Sequence, residues 1–297
     1  MTDNQGINVS TAPSRRRIPK RYVFVLTAAL LAAVVGGATP LLAGGSTPPM
    51  STTARVKKNP PPTLFTNQEI AAISAAVAKQ KPKAAARMRS WWKAHGTVRD
   101  DKAFVAWVET QVPAPPTSAQ RSGELAAVEA LNKKRTPAGI AAANWLEAYG
   151  KKDIWKVYLH DQRELQTPAT GKAEKKQLKA ILTMSKTVAD QIGAKYQQSA
   201  PYVLDPSLRR DHVVRKGAVC PCSYPSRHAA RAAASRTYLG HLAPRRLLDY
   251  QWMEDEVTYS RLYMAGHVES DITAGSLLGD MIGEYFLVTS GAEPVPS

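Results

Sequence analysis

Apolar side chains recur with helical spacing from residue 67 onward, and no segment alternates in the way that a half-buried strand does. Proline and glycine interrupt this pattern at Pro113–Pro116 and at Gly150, so the helices between the breaks are of moderate length. The sequence therefore predicts an all-α fold built as a helical bundle. The helices predicted for its first part are Asn67–Lys79, Lys83–His95, Asp101–Val112, Ser118–Lys134, Pro137–Tyr149, Asp153–Leu165 and Lys172–Gln198.

The last third of the chain combines a predicted loop with two helix starts. Pro201–Cys222 contains several helix breakers and is predicted to be a loop. Ser226 is a good N-cap for the alanine-rich helix Ala229–Leu239, and Ser270-Asp271 is predicted to open a further helix. Because most connections are short, we expect one helical domain, although the prolines after residue 112 leave a boundary there open.

The residues before the helical pattern are predicted to direct and tether the protein. A basic cluster at Arg15–Arg21 precedes an apolar run, which is typical of an export signal or a single membrane anchor. Ser14–Lys20 resembles a twin-arginine signal, with Pro19 in place of the usual leucine. We expect an exported protein that is periplasmic, envelope-bound or secreted, and cleavage versus transmembrane anchoring stays open. The predicted organisation is a disordered basic leader at 1–21, a signal core or anchor at 22–43, a flexible Pro/Ser/Thr linker at 44–66 and a helical domain at 67–290, with its motif-bearing part at 190–288.

Composition adds a preference for anionic partners. The 297 residues carry a formal net charge of +16, which favours anionic substrates or surfaces. Nucleic acid is not expected, because the chain lacks a basic stripe interleaved with aromatic residues and lacks zinc-finger spacing.

Cys220 and Cys222 are too close in sequence for an unstrained disulfide, and their redox state stays open. With only His212 and His228 nearby, no metal site is expected. The sequence does not constrain the oligomeric state.

The chemically richest stretch is Ser260–Asp271, which offers a cation, an imidazole and a carboxylate at fixed spacing. If a helix opens at Ser270-Asp271, the Asp271 carboxylate lies one turn from His267 and can accept a hydrogen bond from one ring nitrogen. The other nitrogen is then free to act as a nucleophile. Arg261 supplies the forked donors that an oxyanion requires.

A second cluster, Tyr224–His228, leads into the alanine-rich helix. With Ser226 as N-cap, the helix start at His228 presents free backbone N–H groups and a positive dipole end, which is an anion site. Two histidines, an arginine and a carboxylate beside a helix N-terminus predict phosphoryl transfer through a phosphohistidine.

Together the two clusters resemble the type 2 phosphatidic acid phosphatase and vanadium haloperoxidase superfamily. The third motif of that family, Ser-Arg-x5-His-x3-Asp, is matched in full at Ser260, Arg261, His267 and Asp271. The resemblance covers roughly Gly150–Leu287, with its motifs in the last third of that span.

The family's other two motifs are matched in part. Pro-Ser-Gly-His is matched at Pro225, Ser226 and His228. Arg227 stands where that motif has glycine. Of Lys-x6-Arg-Pro the chain keeps Lys195, whereas the expected Arg-Pro pair reads Ala200-Pro201.

The resemblance implies an acid-phosphatase-like helical fold and metal-independent hydrolysis of phosphomonoesters without a cofactor, as in the soluble exported branch of the family. His267 would be the nucleophile with Asp271 fixing its tautomer, and His228 would be the general acid. The phosphate-binding side chains would be Lys195, Ser226, Arg227 and Arg261. The implied substrate is a small phosphate ester or a phospholipid-like molecule, with membrane contact through the N-terminal segment if it is retained.

The departures from the family motifs put the activity in question. The absence of arginine at Ala200 removes a charge-assisted fork, and comparable donors are worth about 10²–10³ in rate. Our hypothesis is that Arg227, or Arg209 and Arg210 from the predicted loop, replaces part of this charge from another direction. An impaired relative that only binds phosphate-bearing polymers is one alternative. The other is a haloperoxidase that holds vanadate in the same pocket, although Ala200 counts against it.

Overall fold

Polar caps start most of the helices that the sequence predicts. The computed structural model describes residues 50–163, 167–209 and 222–295. Thr66 and Thr117 each form a capping box with the third residue of the helix that follows. Ser226 accepts the Ala229 amide through its Oγ, as expected of an N-cap. Because these signals are local, the helix starts fall close to their predicted positions.

Helices account for the regular structure in the described ranges. They are α1 (Thr52–Lys58), α2 (Asn67–Ala78), α3 (Gln80–His95), α4 (Asp101–Gln111), α5 (Ser118–Asn132), α6 (Pro137–Trp145), α7 (Asp153–Arg163), α8 (Pro168–Tyr196), α9 (Pro201–Leu204), α10 (Arg227–Leu242), α11 (Leu247–Tyr263) and α12 (Glu269–Thr289). A π-helical turn, Leu146–Gly150, continues α6, and 3-10 turns lie at Pro206–Arg209 and Pro244–Arg246. No strand occurs in this part of the chain, where an isolated bridge pairs Ser199 with Cys222. The all-α prediction is confirmed for these residues.

Helix α12 runs through the centre of the apolar core. Most of its side chains are buried, and it packs against α2, α3, α8 and α10. The core itself extends from Val56 in α1 to Val288 in α12. Two of the helices that carry the motifs are therefore core elements, which gives their functional side chains a rigid support.

Helices α10 and α12 approach closely because small residues line their contact. A Cβ atom on Gly275 would come within 2.4 Å of the Ser226 carbonyl oxygen, and one on Gly279 within 2.2 Å of the Ala230 carbonyl oxygen. Both distances are far below van der Waals contact, so these positions require glycine. The close approach sets the N-terminus of α10 beside that of α12.

The predicted flexible linker at 44–66 is wrong for the part that the structure describes. Thr52–Lys58 forms α1, in which Val56 is buried. This helix packs on α7, where Arg55 pairs with Asp153. The composition indicated a tether, but one apolar contact and one partly buried ion pair hold the segment on the domain.

The predicted leader at 1–21 and signal core or anchor at 22–43 lie outside the described residues. Within the described ranges, no helix combines the length and the apolar character that crossing a bilayer requires. Export and anchoring therefore stay predictions.

Candidate active site

Two motif-bearing helices meet at their N-termini. Helix α10 follows its N-cap Ser226, and α12 begins at Glu269. The Ser226 amide donates to the Asp271 carbonyl oxygen at 2.9 Å, which joins the two helix starts. Residues from the second and third motifs are thereby brought into one region, namely Ser226, His228, Arg261, His267 and Asp271.

The ring of His267 is held at both nitrogens. Nδ1 lies 2.8 Å from the Ser223 carbonyl oxygen, and since a carbonyl only accepts, Nδ1 carries the proton of the neutral ring. Nε2 then has the free lone pair and lies 3.3 Å from Ser226 Oγ. Asp271 Oδ2 lies 3.7 Å from Nδ1, so the shorter contact of this nitrogen is with the Ser223 carbonyl oxygen, and the role of Asp271 in fixing the tautomer stays a prediction. Asp271 acts on the ring through its charge.

Protonation of the His267–Asp271 pair follows from burial and neighbouring charges. Burial lowers the pKa of His267, although Asp271 opposes this shift. Burial raises the pKa of Asp271, but His267, Arg121 and the Val268 amide outweigh it, and the net shift is downward. At neutral pH the pair is thus a neutral imidazole beside a carboxylate, the state in which Nε2 is nucleophilic.

Arg121 on α5 is a buried partner of Asp271 that the sequence did not indicate. Its Nη1 donates to Asp271 Oδ1 at 3.1 Å, from a position 150 residues earlier in the chain. Its Nη2 donates to the Ser199 carbonyl oxygen at 2.7 Å and to Ser223 Oγ at 2.9 Å. One guanidinium group therefore fixes both the carboxylate and the segment whose carbonyl orients His267. No motif spacing signals such a contact.

Arg261 brings unused donors to this region. Its side chain is 3% exposed, and Nη2 lies 3.4 Å from Glu147 Oε2. Its Nε and Nη1 are buried and have no hydrogen-bond partner. A Cβ atom at Gly266 would come within 3.2 Å of Nη2, so glycine leaves room for the guanidinium group. Buried charged donors without partners are costly, which makes this group a strong ligand for an oxyanion.

His228 is a second side chain here with a buried, unpartnered nitrogen. Its side chain is half-buried, while Nε2 is fully buried without a hydrogen-bond partner. Burial lowers the pKa of His228 well below its usual range, and Arg261 and His267 lower it further. A bound anion would reverse part of this shift, because a negative charge favours the imidazolium form. His228 is therefore placed to take up a proton when an anion binds.

Glu147 is a carboxylate within this basic region that sequence reasoning missed. It lies on the π-helical turn and pairs with both Arg209 and Arg261. Burial raises the pKa of Glu147, but the two arginines outweigh it and the net shift is downward. Arg209 and Arg261 thus share one carboxylate, and the hypothesis that Arg227, or Arg209 and Arg210, replaces part of the charge absent at Ala200 stays a prediction. Arg210 lies outside the described residues.

Lys195 and Arg227 point elsewhere. The Arg227 side chain is 47% exposed and donates to Asp190 Oδ1 on α8 at 3.2 Å. Lys195 is exposed, with Nζ 5.3 Å from the centre of the Tyr196 ring. No contact in the described residues joins these side chains, which the resemblance assigns to phosphate binding, to His228, Arg261 or His267. Arg227 acts on His228 through its charge.

The ligand types for a metal ion are not clustered in the described ranges. No group of three or more His, Cys, Asp or Glu side chains there is placed to hold a metal. Cys222 is disulfide-bonded, which settles the question that the sequence left open for this residue. Cys220 and His212 lie outside the described part of the chain.

Comparison with known proteins adds no relative to these observations. Searches of the chain against protein-family models, curated proteins and solved structures find no match. Fold and site therefore define a class: an all-α protein with a buried histidine and arginine cluster suited to an oxyanion. The histidine ring nitrogens and the arginine donors of this cluster are the groups from which an activity can be proposed.

Proposed function

We propose that the protein is a metal-independent phosphatase that hydrolyses phosphomonoesters through a phosphohistidine at His267. One observation carries the proposal: a ring nitrogen with a free lone pair lies in a region where Arg261 and His228 have unpartnered buried nitrogens. Resemblance to the type 2 phosphatidic acid phosphatase and vanadium haloperoxidase superfamily supports the same chemistry.

In the first step, His267 Nε2 attacks the phosphorus atom of the ester. A P–N bond forms and the P–O bond to the leaving group breaks, with its electron pair staying on oxygen. Protonated His228 gives its proton to that oxygen, which leaves as an alcohol. Arg261 and the Ser226 hydroxyl donate to the remaining phosphoryl oxygens. Asp271, 3.7 Å from Nδ1, stabilises the positive charge that develops on the ring.

In the second step, water attacks the phosphohistidine. Neutral His228 takes the proton of the water as the P–O bond forms. The P–N bond breaks, its electron pair returns to His267 Nε2, and inorganic phosphate leaves. The Ser223 carbonyl oxygen keeps its hydrogen bond to Nδ1, so the same nitrogen reacts in each cycle.

The pKa shifts give this mechanism an acidic optimum. Burial lowers the pKa of both histidines, which keeps His267 neutral and nucleophilic in mild acid. His228 must be protonated for the first step, and its lowered pKa makes the protonated fraction fall as the pH rises. Binding of an anionic ester offsets part of that loss. Activity should therefore decline from mildly acidic to alkaline pH.

The substrate and the location follow from charge. We propose a small phosphate ester or a phospholipid-like substrate, because the chain is strongly basic and the unpartnered nitrogens of Arg261 and His228 are donors for an oxyanion. The basic cluster and apolar run before residue 44 support export, with membrane contact if that segment is retained.

The same donor set fits vanadate, which has a similar tetrahedral oxyanion form. His267 would ligate it, Arg261 and Ser226 would hold its oxygens, and bound vanadate would activate peroxide for halide oxidation. No contact in the described residues favours vanadate over phosphate, so haloperoxidase activity is included as a competing outcome of the test.

The test is hydrolysis of p-nitrophenyl phosphate by the purified protein between about pH 4 and pH 8, with EDTA present. His267→Ala should lose at least about 10³-fold in kcat/KM, since the nucleophile is gone. His241→Ala is the matched control, because His241 lies at the far end of α10 and pairs with Glu293. A base-stable, acid-labile phosphoenzyme should form in the parent protein. Turnover that survives His267→Ala would refute the mechanism, and bromide oxidation only with vanadate and peroxide would favour the haloperoxidase.

A further inference from the structure

A set of cations leads away from the candidate site along α7, α8 and α10. Lys151 and Lys152 follow the π-helical turn that carries Glu147. Lys156 lies one turn further along α7, and this helix packs against α8 and α10. We call this set the basic strip and define it as Lys151, Lys152, Lys156, Lys175 and Arg231.

Helical spacing places Lys152 and Lys156 on one face at the start of α7, and Arg231 on the same face of α10 as Arg227. Lys152 and Lys156 are four residues apart at the start of α7, and Arg227 and Arg231 are four apart on α10. Like charges at this spacing repel each other, so the arrangement does not serve helix stability. Arg231 Nε donates to the Leu182 carbonyl oxygen at 3.0 Å, which fixes this guanidinium group between α10 and α8.

The charges of the strip interact with charged groups of the candidate site. Burial lowers the pKa of Lys151; Glu147 opposes this shift, while Arg261 contributes to it. Burial likewise lowers the pKa of Lys156, with further contributions from Lys152 and Lys175. The charge of Lys151 therefore interacts with that of Arg261, and the charge of Lys156 with those of Lys152, Arg231 and Lys175.

Carboxylates beside the strip are already paired with other cations. Glu147 pairs with two arginines, Asp153 with Arg55 and Asp190 with Arg227. In the described ranges, the lysines of the strip form no ion pair. The lysines of the strip thus have no carboxylate at ion-pair distance in the described ranges, although Glu147 acts on Lys151 and Asp190 on Arg231 from further away.

We propose that the basic strip binds a second phosphoryl group of the substrate, so that the preferred substrates are oligophosphates or their esters. This inference rests on the proposed function and names its substrate class. Hydrolysis of a simple monoester requires only the donors around His267, and lysines that continue outward serve a longer anion. Lysine binds phosphate as a mobile point charge, which suits a flexible chain of phosphates. Lys152 and Lys156 are separated by about 6 Å along the helix axis, the span of a short phosphate chain.

Calorimetric titration of the full chain with inorganic phosphate and with tripolyphosphate tests the inference. The parent protein should bind tripolyphosphate at least about tenfold more tightly than phosphate, because additional charge-assisted contacts form. Lys152→Gln/Lys156→Gln should weaken tripolyphosphate about tenfold and change phosphate by less than about twofold. Lys93→Gln/Lys133→Gln is the matched control, since both are exposed lysines outside the strip. That control should leave both affinities within about twofold of the parent.

Two results would overturn the inference. One is a parent protein without preference for tripolyphosphate. The other is a control pair that weakens tripolyphosphate as much as the strip pair does, because net charge alone would then explain the preference. Binding is measured without turnover, so the outcome is separate from that of the phosphatase test. Tighter binding of tripolyphosphate without hydrolysis of any ester would refute only the proposed phosphatase function. Ester hydrolysis without tighter binding of tripolyphosphate would refute only the role of the basic strip.

Discussion

Arg236 on α10 and Arg261 on α11 are both buried, but the fold uses their donors very differently. Arg236 donates Nε to Glu254 and Nη2 to Asp280, each at 2.7 Å, and its third nitrogen to a neighbouring threonine. Arg261 has one acidic neighbour, Glu147 at 3.4 Å, and its Nε and Nη1 have no partner. The two guanidinium groups are similarly buried, but the donors of Arg236 are bonded within the fold and two nitrogens of Arg261 are not.

The pKa values of the two guanidinium groups reflect this difference. Burial lowers both, but Asp280 and Glu254 outweigh it at Arg236, whose pKa is raised. At Arg261 burial outweighs Glu147, and the pKa is lowered. A buried arginine whose donors are all engaged stabilises the helices around it. One whose donors remain unused is suited to bind an anion from outside the chain.

Replacing Arg236 should give the largest loss of stability. In Arg236→Gln, Glu254 and Asp280 remain buried without their cation, which should lower the free energy of unfolding by about 3–5 kcal/mol. Urea denaturation measures this loss, and activity per folded molecule should stay within about twofold of the parent. A loss below about 1 kcal/mol would mean that this cluster does not stabilise the fold.

Replacing Arg261 should have the opposite pattern. Arg261→Gln removes the unused donors, so kcat/KM for an aryl phosphate should fall about 10²–10³-fold. The free energy of unfolding should change by less than about 1 kcal/mol, because few internal hydrogen bonds are lost. Steady-state kinetics and urea denaturation on the same sample give both values. Strong destabilisation with normal catalysis would remove the distinction between the two arginines.

Glu256 on α11 should make stability depend on pH. It is fully buried, and burial raises its pKa to about 8 although the Phe65 amide donates to it. Its stabilising contribution is complete below the unfolded pKa of about 4.5 and is lost as the pH rises through about 8. Glu256→Gln should therefore raise stability by as much as about 5 kcal/mol at alkaline pH and change it little in acid. Thermal melts at both pH values measure this, and an equal effect at both would exclude titration of Glu256.

Arg121 should act on catalysis by positioning. Arg121→Lys keeps a cation near Asp271 but loses the hydrogen bonds of Nη2 to the Ser199 carbonyl oxygen and to Ser223 Oγ. The kcat value should therefore fall about tenfold, with KM within about twofold of the parent. In Arg121→Met, the pKa of Asp271 should rise because Arg121 no longer lowers it. The acidic limb of the kcat profile should then move to higher pH. An unchanged profile in the methionine variant would leave Arg121 with a purely structural role.

Arg227→Gly and Lys195→Ala should have the smallest effects. Both side chains are exposed, and Arg227 is engaged with Asp190. Each variant should keep kcat/KM within about threefold, because exposed charges contribute little. A loss above about tenfold in either would show that the side chain reaches the substrate in the bound state.

The sequence predicted what is governed locally. The helix starts at Ser226 and near Ser270 depend on signals within a few residues, and His267 lies only four residues before Asp271, just outside α12. Contacts made through packing were not predictable in this way. Arg121 meets Asp271 only because α5 lies beside the start of α12, and Glu147 meets Arg261 through a π-helical turn. Neither contact leaves a signal in spacing.

The directions in which individual side chains point could also not be predicted from the sequence. Arg227 and His228 are adjacent in the sequence, yet the first turn of α10 directs Arg227 toward Asp190 and leaves His228 Nε2 buried. Val56 and Arg55 hold α1 against α7 although the surrounding composition is typical of a tether. In both cases a neighbouring helix decides the outcome, and its position depends on the whole fold.

The glycine contacts between α10 and α12 have a consequence for how this protein can be altered. Because Gly275 and Gly279 leave no room for a side chain, α10, which carries His228, and α12, which begins beside His267, can be altered at their contact only together. New substrate ranges, whether they arise by natural variation or in a laboratory library, are therefore open mainly through α5, α7 and the residues after Pro201. A library that randomises those elements and preserves the glycines should yield more folded variants than one that spreads changes evenly.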